Sequence, residues 1–167
     1  MRVAESIEVN APPALVWQLV SDPTRYLHFM SGVTRWSVDG KQATGLGARY
    51  RMLIRVGSAE VGGLIEVVEF KPERDLAWVS VTGVDQRGRW RIRDLPGDRA
   101  RVELRLAYGV AGAGLWGWAA ERIAAPTVRG HLRRSLQQLK RQVEHEQLRV
   151  AAAARREAKA RAGGSGP

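Results

Sequence analysis

The chain of 167 residues contains no cysteine. That excludes disulfides, thiolate catalysis and cysteine metal sites, and it fits a reducing cytoplasm, which is the expected location. Histidine is nearly as scarce. His28, His131 and His145 are the only three, and the last two read as helix surface, so a histidine metal centre is not expected. No apolar run approaches the roughly 18–20 residues that span a bilayer. The opening MRVAESIEVN has no apolar core and no cleavage signal, so no signal peptide is expected. No cofactor motif emerges either. The richest glycine stretch, GVAGAGLWGWAAERI from Gly109 to Ile123, spaces its first glycines as G-x-x-G-x-G. It precedes a helix with no later strand, so it is no dinucleotide loop, and no Lys-Ser/Thr pair makes it a phosphate loop.

Acidic residues are also in deficit. Seventeen face 27 basic ones, leaving a net charge of +10, and arginine supplies most of it. Residues 149–167, RVAAAARREAKARAGGSGP, hold five basic residues and one acid. They read as a frayed helical extension running into a disordered end, so the domain is placed at 1–147 and the tail at 148–167.

What is present is periodic. Val3, Glu5, Ile7 and Val9 share one face of an opening strand. Asn10 suits an N-cap, and Pro12 and Pro13 suit the first turn of a helix carrying Leu15, Val16, Leu19 and Val20 inward. A second short helix runs from Thr24 to Met30 and stops at Gly32. Strands come next at 33–39, 48–56, 63–70, 76–82, 87–95 and 100–108. In the third of the seven strands Tyr50, Met52, Ile54 and Val56 oppose Arg49, Arg51 and Arg55. In the sixth, Trp90 and Ile92 oppose Arg89, Arg91 and Arg93. A long helix closes the chain, with Leu132, Leu136, Leu139 and Val143 on one stripe and Pro126 expected to kink or break it near Ala125. One strand, two short helices, six strands and one long helix make an α+β domain: an antiparallel sheet whose apolar face needs that last helix as its cover. Where sheet and helix diverge, a gap can hold a ligand.

Several phrases carry a further signal: SIEVNAPPALVWQLVSDPTRYLHFMSGV, IEVVEFKPERDLAWVSV, GRWRIRDLPGDRARVELRLAY and RGHLRRSLQQLKRQVE. In their order and spacing, over residues 1–147, they resemble the helix-grip domains of the polyketide-cyclase/START-like superfamily, often called SRPBCC. Phe29 stands where such domains usually carry a tryptophan. The resemblance implies a seven-stranded antiparallel sheet curled around the C-terminal helix, with a hydrophobic cavity between them. It leaves activity open, because the superfamily mixes aromatase/cyclases, lipid carriers and other binders.

The inward positions that would line the cavity are Tyr50, Met52, Trp78, Trp90, Tyr108, Trp116 and Ile123, with Ser80 and Thr82 as polar points. Each also reads as plain core, but as a set they suit a flat, acyl or polyketide-like ligand. Gly109, Gly112 and Gly114 could hinge Trp116 as a lid, or the stretch could merely finish the core. No catalytic constellation is apparent. Glu66 and Glu69 should lie on opposite faces of their strand, and His28 is a candidate base that also reads as surface. Tyr50, Tyr108 and Ser80 could steer proton transfers in a cyclase. The arginines should crowd the outer face. They are either solvated and partly paired, or, through Arg49, Arg51, Arg91 and Arg105, a dock for an acidic protein or anionic lipid surface. No aromatic residue alternates with them, which disfavours nucleic acid. The expected function is binding of a small hydrophobic lipid-like or polyketide-like molecule. The alternatives are an aromatase/cyclase enzyme and an adaptor using the basic face.

Overall fold

A computed structural model describes the backbone of residues 2–109 and 114–163, and the side chains of these except at 56, 114–125 and 162–163. Strand β1 (Arg2–Val9) leads into helix α1 (Pro13–Val20). A 3₁₀ turn (Pro23–Arg25) continues into α2 (Tyr26–Phe29). Six strands come next: β2 (Val33–Asp39), β3 (Arg49–Val56), β4 (Ala59–Lys71), β5 (Asp75–Gly83), β6 (Asp85–Leu95) and β7 (Arg99–Gly109). Helix α3 (Gly114–Gly163) completes the chain. All neighbouring strands are antiparallel, in the order β1-β7-β6-β5-β4-β3-β2. The α+β reading therefore holds in element order and in topology.

The core lies between the inner face of the sheet and α3. Val128, Leu132, Leu136, Leu139 and Val143 recur every three or four residues on α3, and all are buried. Opposite them lie Val3, Val9, Ile92, Val102 and Leu104, and Leu15, Val16, Leu19 and Val20 of α1 close one end. The helix is assigned continuously across Pro126, so the expected break there is not found. The missing N–H costs one hydrogen bond, while the buried stripe from Val128 onward anchors the later turns. Asn10 is not the N-cap. Pro12 takes that place without a side-chain bond, and the Asn10 N–H instead donates to Glu144 Oε1 of α3 at 2.8 Å. The next helical segment does have a side-chain cap: Asp22 accepts from Thr24 N–H at 2.9 Å and opens it at Pro23.

Two irregularities in β4–β5 pairing reset which residues face inward. Between Val67 and Glu69 the register shifts by one, so Ile65 and Val67 point into the core while Glu66 and Glu69 both reach arginines of the outer face. The two carboxylates are thus on the same face, contrary to strict alternation. A second shift between Leu64 and Ile65 sets Thr82 opposite Leu64 and leaves it exposed, which removes Thr82 from the interior.

Candidate functional site

Gly88 and Trp78 are register partners on the inner face. A Cβ on Gly88 would penetrate the six-membered ring of the Trp78 indole, so only glycine lets the indole lie flat across β6. Trp78 so placed forms one wall of an interior cavity of about 40 Å³ between the sheet and α3. Met52, Ile54, Leu104 and Leu106 supply its apolar surface, and Trp36, Gln86, His131, Ser31 and Ser135 its polar groups. A smaller void of about 10 Å³ lies beside it, between Tyr26, Trp36, Tyr50 and Trp78. Three rings stack along that void. Tyr26 and Trp36 have centroids 4.3 Å apart at 18°, and Trp36 and Tyr50 5.2 Å apart at 29°.

The polar groups differ in how they are engaged. The indole N–H groups of Trp36 and Trp78 are buried and meet no acceptor among the described residues. Gln86 is buried and its Nε2 reaches the Met52 sulfur at 3.3 Å, a weak acceptor. His131 Nδ1 lies 3.1 Å from Ser31 Oγ and 3.1 Å from an Arg134 N–H donor. Burial and the Arg134 charge hold this imidazole below the ordinary histidine value, against a contrary contribution from the Arg55 backbone. It is neutral at pH 7, with Nδ1 accepting. Gly32, at φ +84°, makes room for the ring. Ser135 Oγ is tied to the His131 carbonyl at 2.8 Å and accepts from Ser31 N–H at 2.8 Å. This cluster joins α3 to the loop ahead of β2.

The residues expected from sequence are distributed unevenly. Met52 and Trp78 line the larger cavity, and Tyr50 the smaller. The Tyr50 hydroxyl donates to the Ala43 carbonyl at 2.9 Å, so it serves a loop rather than the cavity. Trp90 is fully buried against Phe29, with centroids 6.0 Å apart, and lines neither void. Ser80, in β5, accepts from Gln86 N–H of β6 at 3.1 Å and so serves the strand pair rather than the cavity. Tyr108 lies at the end of β7 on a groove shared with Arg2, Asp85, Arg87 and Gly109. The side chains of Trp116 and Ile123, and residue Gly112 of the hinge, lie outside the described residues. His28 is exposed, while His131 is the histidine that reaches the cavity, not a surface residue.

Sequence reasoning passed over Gln86, Trp36 and His131. Extending the inward series Trp90–Gly88 back one step reaches Gln86. Stepping from Leu132 by one residue finds His131 beside the buried stripe, where α3 turns toward Gly32.

On the outer face nearly every expected arginine has a carboxylate. Arg49 meets Glu66 at 2.7 Å, Arg51 meets Asp39 at 3.0 Å, Arg55 meets Glu60 at 3.2 Å and Arg105 meets Glu103 at 2.6 Å. Asp75 is buried among Arg89, Arg91 and Arg93, with Arg91 Nε 3.0 Å away. Burial would raise its carboxyl, but the Arg91 hydrogen bond and the three guanidinium charges outweigh it and hold Asp75 below the usual carboxylate range. The face is a lattice of ion pairs rather than a field of free cations.

Among the described residues there is no group of three or more potential metal ligands, and no helix is long and apolar enough to cross a membrane. A curled antiparallel sheet closed by one long helix over an aromatic cavity defines a helix-grip protein. Residues 1–144 match the family model described as "Polyketide cyclase / dehydrase and lipid transport", and the chain belongs to that family. Solved structures agree in fold. TTHA0849 of Thermus thermophilus is 20% identical, with a TM-score of 0.74, over 86% of this chain and 97% of that one. The Zhui aromatase/cyclase of Streptomyces sp. R1128 is 20% identical, with a TM-score of 0.72, over 86% and 93%. A START superfamily protein of Mycobacterium smegmatis is 16% identical, with a TM-score of 0.66, over 85% and 98%. Among curated proteins, none matches the sequence.

Proposed function

We propose that this chain binds a small, largely apolar molecule carrying a hydrogen-bond acceptor, an aromatic ketone or acyl compound, between the sheet and α3. The observation that carries the reading is that two of the three buried indole N–H groups without acceptors among the described residues, Trp36 and Trp78, stand on the wall of this cavity, the third, Trp90, lying away from it. A buried donor without a partner costs about 1–3 kcal/mol, and a ligand carbonyl would recover it. Membership of a family described by polyketide cyclisation and lipid transport supports the same chemistry. The cavity of about 40 Å³ admits little more than water as it stands, so binding requires the wall to repack. Met30 and Met52, both unbranched, are the wall residues suited to that. In this proposal Met52, Trp78 and Tyr50 contact the ligand.

A cyclase reading rests on one further observation. His131 is a neutral imidazole on the cavity wall, and because its Nδ1 accepts from Arg134 its other ring nitrogen carries the proton, which suits it to polarising a substrate carbonyl as a donor rather than to taking up a proton. Binding is the reading that needs fewer groups.

The test is a matched pair of probes. 2-Acetylnaphthalene and 2-isopropenylnaphthalene have nearly the same shape, but only the first has a carbonyl acceptor. The wild type should bind the ketone about five- to tenfold more tightly, as one recovered hydrogen bond implies. Trp78→Phe should remove most of that difference. Equal affinity for the two probes, or binding of neither, would refute the proposal.

A further inference from the structure

The outer face of the sheet carries a second feature, independent of the cavity. Register places Arg2, Ala107, Arg87 and Val79 side by side across β1, β7, β6 and β5, and Ala4, Arg105, Arg89 and Ala77 in the next row. These eight residues, with Val68, line a groove of about 530 Å³ on that face. Four guanidinium groups and no carboxylate are among its lining residues. Arg89 and Arg105 stand directly opposite each other, a pairing that like charge disfavours. Each is relieved from outside the groove, Arg105 by Glu103 and Arg89 by Glu69 and Asp75. Arg2 and Arg87 have no such relief. Neither has a carboxylate within ion-pair distance among the described residues, although Asp85 lies at the rim of the adjoining groove.

The placement of that pair is specific. Arg2 and Arg87 are both register partners of Ala107, on either side of it. Their backbones are therefore two strand spacings apart, about 10 Å. Ala107 offers only a methyl group between them, so two long guanidinium side chains can converge above it on one anion. Ala4, Ala77, Val79 and Val68 continue the floor as an apolar strip. Two unpaired cations match a dianion, and at pH 7 a phosphate monoester carries a charge near −2 and accepts several charge-assisted hydrogen bonds.

We propose that this groove is a binding site for a phosphate monoester bearing a short apolar chain, its phosphate held by Arg2 and Arg87 over Ala107 and its chain on Ala77 and Val79. The same chemistry occurs in a free organic phosphate and in a phosphatidic acid headgroup, and the groove, sunk into the sheet face, fits the free molecule.

The probe is octyl phosphate below its micellar concentration, titrated by calorimetry and by methyl NMR, with octyl glucoside as the uncharged control. Octyl phosphate should move the methyl signals of Ala107, Ala77 and Val79 and leave those of Leu132 and Leu136 in place. Arg87→Ala and Arg2→Ala should each weaken binding about tenfold, the loss expected for one charged hydrogen-bonding partner. Arg51→Ala, on the same face but paired with Asp39, should not. Unchanged affinity in Arg87→Ala, or equal binding of octyl glucoside, would overturn the proposal. So would shifts at Leu132 rather than Ala107 in the wild type, which needs no variant to fold. Capture by phosphatidic acid vesicles with no binding of monomeric octyl phosphate would overturn it in favour of a membrane surface.

Discussion

Gly88 is the residue whose absence of a side chain does most for the interior. It lets the Trp78 indole lie across β6, and that indole supplies both a wall and a partnerless N–H. Gly88→Ala should therefore destabilise the fold by about 1–3 kcal/mol, as overpacking of a tight core does, read from chemical denaturation. A neutral outcome would mean that the indole does not rest there. His131 makes a pH-dependent contribution. Its folded-state proton affinity is lowered, so the unfolded chain binds a proton more readily, near pH 6.5. The stability it contributes is present above about pH 6.5 and is lost as pH falls below that value. The urea midpoint of the wild type should drop between pH 7 and pH 5.5, and His131→Gln should show a smaller drop; parallel curves would contradict the assignment. Of these residues the sequence disclosed Trp78 through alternation. His131 was hidden because its neighbour Leu132 carries the stripe, and its burial depends on a loop, around Gly32, that is remote in sequence.

At the scale of elements, α3 does the work of closing the sheet. Leu136 is buried at its centre, and Leu136→Ala should cost about 2–5 kcal/mol in denaturant unfolding. Residues past 148 are mostly exposed, so ending the chain at that point should change stability by no more than about 0.5 kcal/mol. A large loss on truncation would show that the distal helix docks. The seven strands were legible as short apolar runs between turn residues, and in β3, β6 and β7 arginine or glutamate alternates with the apolar positions. The bulges were not. A register shift adds no distinctive residue at Val67–Glu69 or at Val81. It reverses the parity of the residues beyond it, which is why Glu69 joins Glu66 on the outer face and Thr82 leaves the interior. The ion-pair lattice arises from those parities and from partners on other strands. Arginine content alone gives the sign of the face but not how completely it is neutralised.

At the scale of the molecule, sheet and helix form two surfaces with opposite chemistry. The inner one is aromatic and apolar, with a few buried donors. The outer one is charged and mostly self-paired. Family membership and fold favour the inner surface for the binding chemistry, and the partnerless indoles of Trp36 and Trp78 give it a polarity. The most direct measurement of that claim is isotope-filtered NMR on the wild-type protein with 2-acetylnaphthalene. The account predicts intermolecular contacts from the naphthalene protons to the methyl groups of Leu104, Leu132 and Met52, with the Trp78 and Trp36 indole N–H resonances shifted downfield on binding. Contacts confined to Ala107 and Val79 on the outer face, with both indole resonances unmoved, would contradict it.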